Sequence, residues 1–240
     1  MMRPAKVVID IPALHHNPFL VRKLAPGRKV MAIVKADAYG HGLERIATAL
    51  KSVDAFGVSC LKEAQQLREV RITQTVLLLE GFYQGEELSI INSLSLGIVV
   101  HSEYQVEILE QAELSTPIAV WLKIDSGMSR LGFQPEFVSA IWDRLNKCES
   151  VAFLLRLMTH FAAANDLADA MTDEQLQVFA SAVRKFAAEV SLANSAAIIA
   201  WPDTHDDWVR PGLMLYGVSP LEKSYSKNMI CNLLCHWYQK

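Results

Sequence analysis

The chain has 240 residues, 51% of them hydrophobic and 20% charged, enough apolar material for one large core. A formal net charge of −3 leaves no basic footprint for nucleic acid. No apolar run approaches the ~18 residues of a membrane span, and the N-terminus lacks a signal peptide's apolar segment. Four cysteines, Cys60, Cys148, Cys231 and Cys235, are scattered with no CxxC pair, which reads as reduced, cytosolic thiols and no metal cluster.

Residues 6–10, Lys-Val-Val-Ile-Asp, read as a short strand. Pro12 then stands where a helix can begin, and Leu14, Phe19, Val21 and Leu24 give a loosely amphipathic segment closed by Pro26-Gly27. From there apolar runs alternate with helical segments. The runs fall at 30–36, 55–60, 75–81, 96–102, 118–125, 152–160, 193–200 and 208–217. Ser102 with Gln105, and Thr172 with Gln175, fit capping boxes. After Thr172, the apolar positions Leu176, Phe179, Val183, Phe186 and Val190 recur at helical spacing, and segments 62–70 and 135–147 also admit helices.

Eight strand–helix units with near-continuous apolar strands predict a parallel sheet closed into an α/β, (β/α)8 TIM-type barrel over residues 1–220. An open, doubly wound sheet is the alternative, but no G-x-G-x-x-G follows the first strand. Residues 221–240 change character, from a polar stretch to a short apolar burst. This divergent tail could serve as the last barrel helix or could be a ragged end.

In such a barrel, chemistry belongs just beyond the strands. Lys35 closes the first apolar run and is followed by a small-residue loop carrying Tyr39, Gly40, His41 and Gly42. A desolvated lysine there can lose its proton and attack a carbonyl. Lys123 lies in the fifth run, ahead of Asp125-Ser126-Gly127-Met128-Ser129-Arg130. His160 ends the sixth, Asn194-Ser195 lie on the seventh, and Arg210-Pro211-Gly212-Leu213 lie at the eighth. Each has a plain reading: Lys35 solvated, His160 a satisfied buried histidine, Arg210 an ion-pair partner, Ser195 a polar strand end. Together they are basic, hydroxylic and aromatic, without a carboxylate pair. That set suits an anionic, phosphorylated aldehyde better than hydrolysis.

The segment Val34-Lys35-Ala36-Asp37-Ala38-Tyr39-Gly40-His41-Gly42 resembles the pyridoxal-phosphate attachment motif of alanine racemases. The resemblance continues through Ile9-Asp10-Ile11-Pro12-Ala13-Leu14, Lys123 to Phe133, Thr159-His160-Phe161-Ala162, Asn194-Ser195-Ala196-Ala197 and Val209 to Gly217, in order over roughly residues 6–220. It implies pyridoxal 5'-phosphate as cofactor, alanine as substrate and a cytoplasmic enzyme supplying D-alanine for peptidoglycan or serving alanine catabolism. Lys35 would hold the cofactor and act as one base. Tyr39, Ser195 and the backbone at Gly212-Leu213 would bind its phosphate, with Asn194 beside them. Arg210 would face the pyridine nitrogen, Arg130 the ring hydroxyl side, and His160 the ring. Lys123 would be carbamylated, an anion facing Arg130.

Racemisation needs a second base on the opposite face of the carbon. The family places that tyrosine in a β-rich C-terminal domain, shared across a homodimer, which the last twenty residues do not resemble; neither Tyr225 nor Tyr238 has the matching context. The expectation is therefore a truncated racemase with the cofactor site but not the second base. A barrel-only pyridoxal-phosphate binding and homeostasis protein is the alternative. An amino-acid decarboxylase is disfavoured because its run of phosphate-binding glycines is missing here, and a Schiff-base aldolase because its lysine usually lies on a later strand than Lys35 does.

Overall fold

The computed structural model describes residues 5–221 and 235–239. Two short strands, β1 (Ala5–Ile9) and β10 (Cys235–Gln239), pair antiparallel with each other, apart from the main sheet. Between them eight parallel strands close a barrel in sequence order. These are β2 (Lys29–Ile33), β3 (Ala55–Val58), β4 (Thr75–Leu78), β5 (Gly97–Val100), β6 (Val120–Lys123), β7 (Arg156–Met158), β8 (Val190–Ser191) and β9 (Trp208–Val209). Helices α2 (Leu43–Ala49), α3 (Leu61–Glu69), α4 (Glu87–Ser93), α5 (Glu103–Gln111), α6 (Val138–Lys147), α7 (Met171–Val183) and α8 (Ser195–Ala200) connect them. The predicted (β/α)8 barrel is present.

Strand residues alternate between two cores. Met31, Ile33, Ala55, Leu77, Val99, Trp121, Met158 and Trp208 fill the barrel interior, while Val30, Ala32, Phe56, Val76 and Ile98 pack outward against the helices. Both faces are dry, which is why these strands read as unbroken apolar runs. Trp121 and Trp208 meet edge to face at 5.7 Å. Below them Glu189 accepts from Lys29, Arg156 and Trp208 Nε1, so ion pairs close the N-terminal end of the barrel.

Four expectations are corrected. The seventh strand is Val190–Ser191, not 193–200, and Asn194 and Ser195 open helix α8 instead. Leu192, Ala193, Ala196, Ala197 and Ile198 are all buried, so strand end and helix start share one apolar run that periodicity cannot divide. For the same reason α7 ends at Val183, leaving Phe186 outside the helix and Val190 in β8. The tail does not supply the last helix at 235–239, which is strand, while residues 222–234 and 240, with Tyr225 and Cys231, lie outside the described residues. The ring is closed from the other end of the chain. Helix α1 (Ile11–Leu24) packs against α2, α8, β2 and the 3-10 turn Leu213–Tyr216. Asp10 caps it through Ala13 N–H, and buried Asn17 donates to Leu215 O at 2.9 Å. Its buried face is Leu14, Asn17, Pro18 and Val21, so Phe19 points out at 66% exposure, against expectation.

Candidate active site

Beyond β2 the backbone reverses its hand. Ala36, Asp37, Ala38 and Tyr39 have φ of 53° to 56° and ψ of 34° to 54°, a left-handed turn within Lys35–Gly40. Four consecutive non-glycine residues in this region cost about 1–2 kcal/mol each, so the turn persists only because its surroundings hold it. On one side Asp37 N–H donates to Glu63 Oε1 at 3.1 Å, and Asp37 Oδ1 accepts Leu43 N–H at 2.7 Å. On the other, the His41 ring stacks on Tyr216 at 4.9 Å, and Tyr216 donates its hydroxyl to Ile33 O at 3.1 Å. Ala38 is fully buried beneath. Because the turn is tight, Lys35 and Tyr39 reach the same cavity.

That cavity, about 620 Å³, opens at the C-terminal ends of the strands, within the usual size for a small-molecule site. Every residue singled out from the sequence lines it: Lys35, Tyr39, Lys123, Arg130, His160, Asn194, Ser195, Arg210, Gly212 and Leu213.

One wall is a nest of donors. Asn194 caps α8, accepting Ala196 and Ala197 N–H, both at 3.1 Å. Ser195 Oγ accepts Gly212 N–H at 2.8 Å and Met214 N–H at 3.3 Å. With both lone pairs engaged, the hydroxyl proton is left to donate into the cavity. Gly212 leaves room for the Tyr39 hydroxyl, since a Cβ there would lie 2.8 Å from it and displace the ring tip. Tyr39 itself tilts against Tyr216 at 4.9 Å, and burial raises its pKa.

The opposite wall is cationic. Arg210, 4% exposed, is held by neutral oxygens: Nη1 donates to Ser191 Oγ at 2.6 Å, and Nη2 donates to Thr159 O at 2.6 Å and Leu192 O at 3.3 Å. It has no ion pair among the described residues, so the ion-pair reading fails. Burial brings its pKa down to about 10, still a cation at neutral pH. Lys123, 7% exposed, is pushed down to about 8 by burial and by Arg210, Arg130 and Lys35. His160 falls to about 3 through burial and the same cations, and is held neutral. Arg130 rides on the loop after β6, where Asp125 Oδ1 accepts Gly127 and Ser129 N–H at 3.0 and 2.9 Å.

Several supporting residues were not marked as site groups in the sequence. Leu79, Glu80 and Asn165 line the cavity, and Ser191, Thr159, Glu63 and Gln175 position its members. Gln175 was expected in a capping box. Instead its amide accepts Ala162 N–H at 2.8 Å and donates to His160 O at 3.1 Å, bracing the loop after β7, while Thr172 lies inside α7. Likewise Ser102 stands at the start of α5 without a side-chain cap, and Gln105 reaches back to His101 N–H and across to Glu80 O and Phe82 O. A Ser/Thr-x-x-Gln spacing does not say whether the glutamine turns to its own helix or to the neighbouring loop. Among the described residues no group of histidines, cysteines and carboxylates could hold a metal, and no helix is long and apolar enough to cross a membrane.

A lysine, the Tyr39 and Ser195 hydroxyls and a buried guanidinium with no ion pair among the described residues line one cavity at the C-terminal end of a (β/α)8 barrel. Residues 9–220 match the family described as alanine racemase, N-terminal domain, and the chain belongs to that family. It is 48% identical over 228 residues to an alanine racemase of Vibrio atlanticus, covering 95% of this chain and 64% of that protein. It is 47% identical over 225 residues to a catabolic alanine racemase of Pseudomonas aeruginosa, covering 93% and 62%. Among solved structures, the biosynthetic alanine racemase of Pseudomonas aeruginosa superposes with a TM-score of 0.89 at 41% identity, covering 92% of this chain and 62% of that one. The chain thus spans less than two thirds of the length of these relatives.

Proposed function

We propose that this barrel is the cofactor-binding part of an alanine racemase, holding pyridoxal 5'-phosphate on Lys35 and moving the α-proton of alanine. The donor set fits that group. The Ser195 hydroxyl proton, the Tyr39 hydroxyl and the approach left open by Gly212 suit a phosphate, and Gly212 and Leu213 place backbone beside it. Arg210 engages its three protein acceptors through Nη1 and Nη2, so its Nε–H is left to donate to a ring nitrogen. When bound, pyridoxal phosphate supplies an electron sink that acidifies the α-C–H of an amino acid joined to it.

The chain's own groups then divide the work. Lys35 Nζ would hold the cofactor and would take or return the proton on one face of the α-carbon. Arg210, a firm cation, would stand at the ring nitrogen as a donor that keeps its own proton. His160, neutral, packs against the ring without adding charge. Lys123, with a pKa of about 8, spends part of its time as the free amine, which would add carbon dioxide and release a proton to solvent, leaving a carbamate anion able to accept from Arg130. In this reading the base for the opposite face comes from outside residues 9–220, the protein works as a homodimer in the cytoplasm with its thiols reduced, and it serves D-alanine supply or alanine breakdown. The placement of Lys35, Ser195, Gly212 and Arg210 around one cavity carries the proposal.

The test is spectroscopic and isotopic. Purified chain mixed with pyridoxal phosphate develops the visible band of lysine-bound cofactor, and Lys35→Ala lacks it. In deuterium oxide the loaded chain exchanges the α-proton of one alanine enantiomer faster than the other, through Lys35. A band without exchange would mark a cofactor-binding barrel without racemase chemistry.

A further inference from the structure

The left-handed turn that carries Lys35 and Tyr39 leans on a carboxylate outside the cavity. Glu63 lies in the first turn of α3, 8% exposed, and does not line the site. Its two oxygens face different segments. Oε1 accepts Asp37 N–H at 3.1 Å, from inside the turn. Oε2 accepts Ser59 N–H at 2.9 Å and the Ser59 hydroxyl at 2.8 Å, from the chain leaving β3. One side chain therefore staples the turn after β2 to the end of β3. The next link is Asp37, whose Oδ1 accepts Leu43 N–H at 2.7 Å and pins the start of α2.

In a right-handed arrangement Asp37 N–H would point elsewhere, so the Glu63 bond exists only while the turn stays left-handed. We propose that Glu63 is a positioning residue for the reaction, holding residues 36–39 in the left-handed conformation and thereby aiming Lys35 and Tyr39 into the cavity. The claim about cofactor geometry rests on the function proposed above; the claim about the backbone does not.

Glu63→Gln tests it, because the amide keeps the shape but turns one acceptor into a donor facing another N–H. Two readouts are needed. Amide hydrogen exchange of residues 37–43 in the cofactor-free chain is expected to speed up at least tenfold in Glu63→Gln, while exchange in β5 and β6 stays unchanged. In the loaded chain, Glu63→Gln is expected to bind pyridoxal phosphate at least tenfold more weakly and to shift the pH midpoint of the visible band. Ser59→Ala, which removes only one of three bonds, is expected to stay within threefold of the parent on both. Parent-like exchange at 37–43, or parent-like affinity and midpoint in Glu63→Gln, overturns the proposal. So does faster exchange spread evenly over the whole barrel, which is general destabilisation. Absence of the band in the parent overturns the cofactor reading alone, since exchange still reports on the staple.

Discussion

Lys123 and His160 show how a cation cluster acts on its own members. Both are held near their neutral forms by burial and by neighbouring guanidinium groups, and the native state binds fewer protons at these sites than the unfolded chain. For Lys123 this applies between about 8 and the ordinary 10.5, so stability rises with pH across that window. In bicarbonate-free buffer, urea unfolding of the parent should gain on the order of 1–3 kcal/mol between those limits, and Lys123→Met should gain almost none. His160 acts in the acid range: stability falls as pH drops from 6.5 toward about 3, and His160→Gln should flatten that stretch of the curve. Lys35, Lys123, His160, Ser195 and Arg210 were legible because each is a polar or charged group in or at the end of an apolar run. Glu63, Thr159 and Ser191 were not, because they act through backbone N–H groups and carbonyls or through Arg210, and nothing in their local sequence marks that.

At the scale of elements, two glycines separate fold from site. Gly212 has a negative φ, −120°, and the atom a Cβ would meet is the tip of the Tyr39 side chain, not backbone. Gly212→Ala should therefore cost less than about 1 kcal/mol of stability while weakening pyridoxal phosphate binding tenfold or more, as measured by unfolding and by cofactor titration. Gly132 is the reverse case. It has φ +127°, and a Cβ would come within 2.6 Å of Asp125 N, so Gly132→Ala should cost at least about 2 kcal/mol and disturb the loop carrying Arg130. Apolar runs overlapped seven of the eight strands but overran most of their ends, because polar-free loop residues such as Ala36 and Leu79 continue the run, and the seventh run fell beyond its strand, Val190–Ser191. The hand of the turn at 36–39 was not legible at all. Alanine, aspartate and tyrosine carry no left-handed preference strong enough to announce it, and tertiary contacts impose it.

For the molecule as a whole, the ring of helices is completed from the N-terminus. Leu14 is fully buried at the seam where α1 meets the rest of the barrel, and Leu14→Ala should cost about 2–5 kcal/mol in urea unfolding. The barrel itself was legible from the alternation and pitch of its segments. Its closure was not, since the partner of α8 and α2 lies at the other end of the sequence and chain order pointed to the tail. In the proposed function Lys35, among the lysines of this chain, anchors the cofactor. Borohydride reduction of the chain loaded with pyridoxal phosphate, followed by peptide mass mapping, tests it directly. The reduced pyridoxyl mass is expected on the peptide containing Lys35 and nowhere else at stoichiometric level. Modification of Lys123, or a spread over surface lysines with Lys35 unmodified, would contradict it.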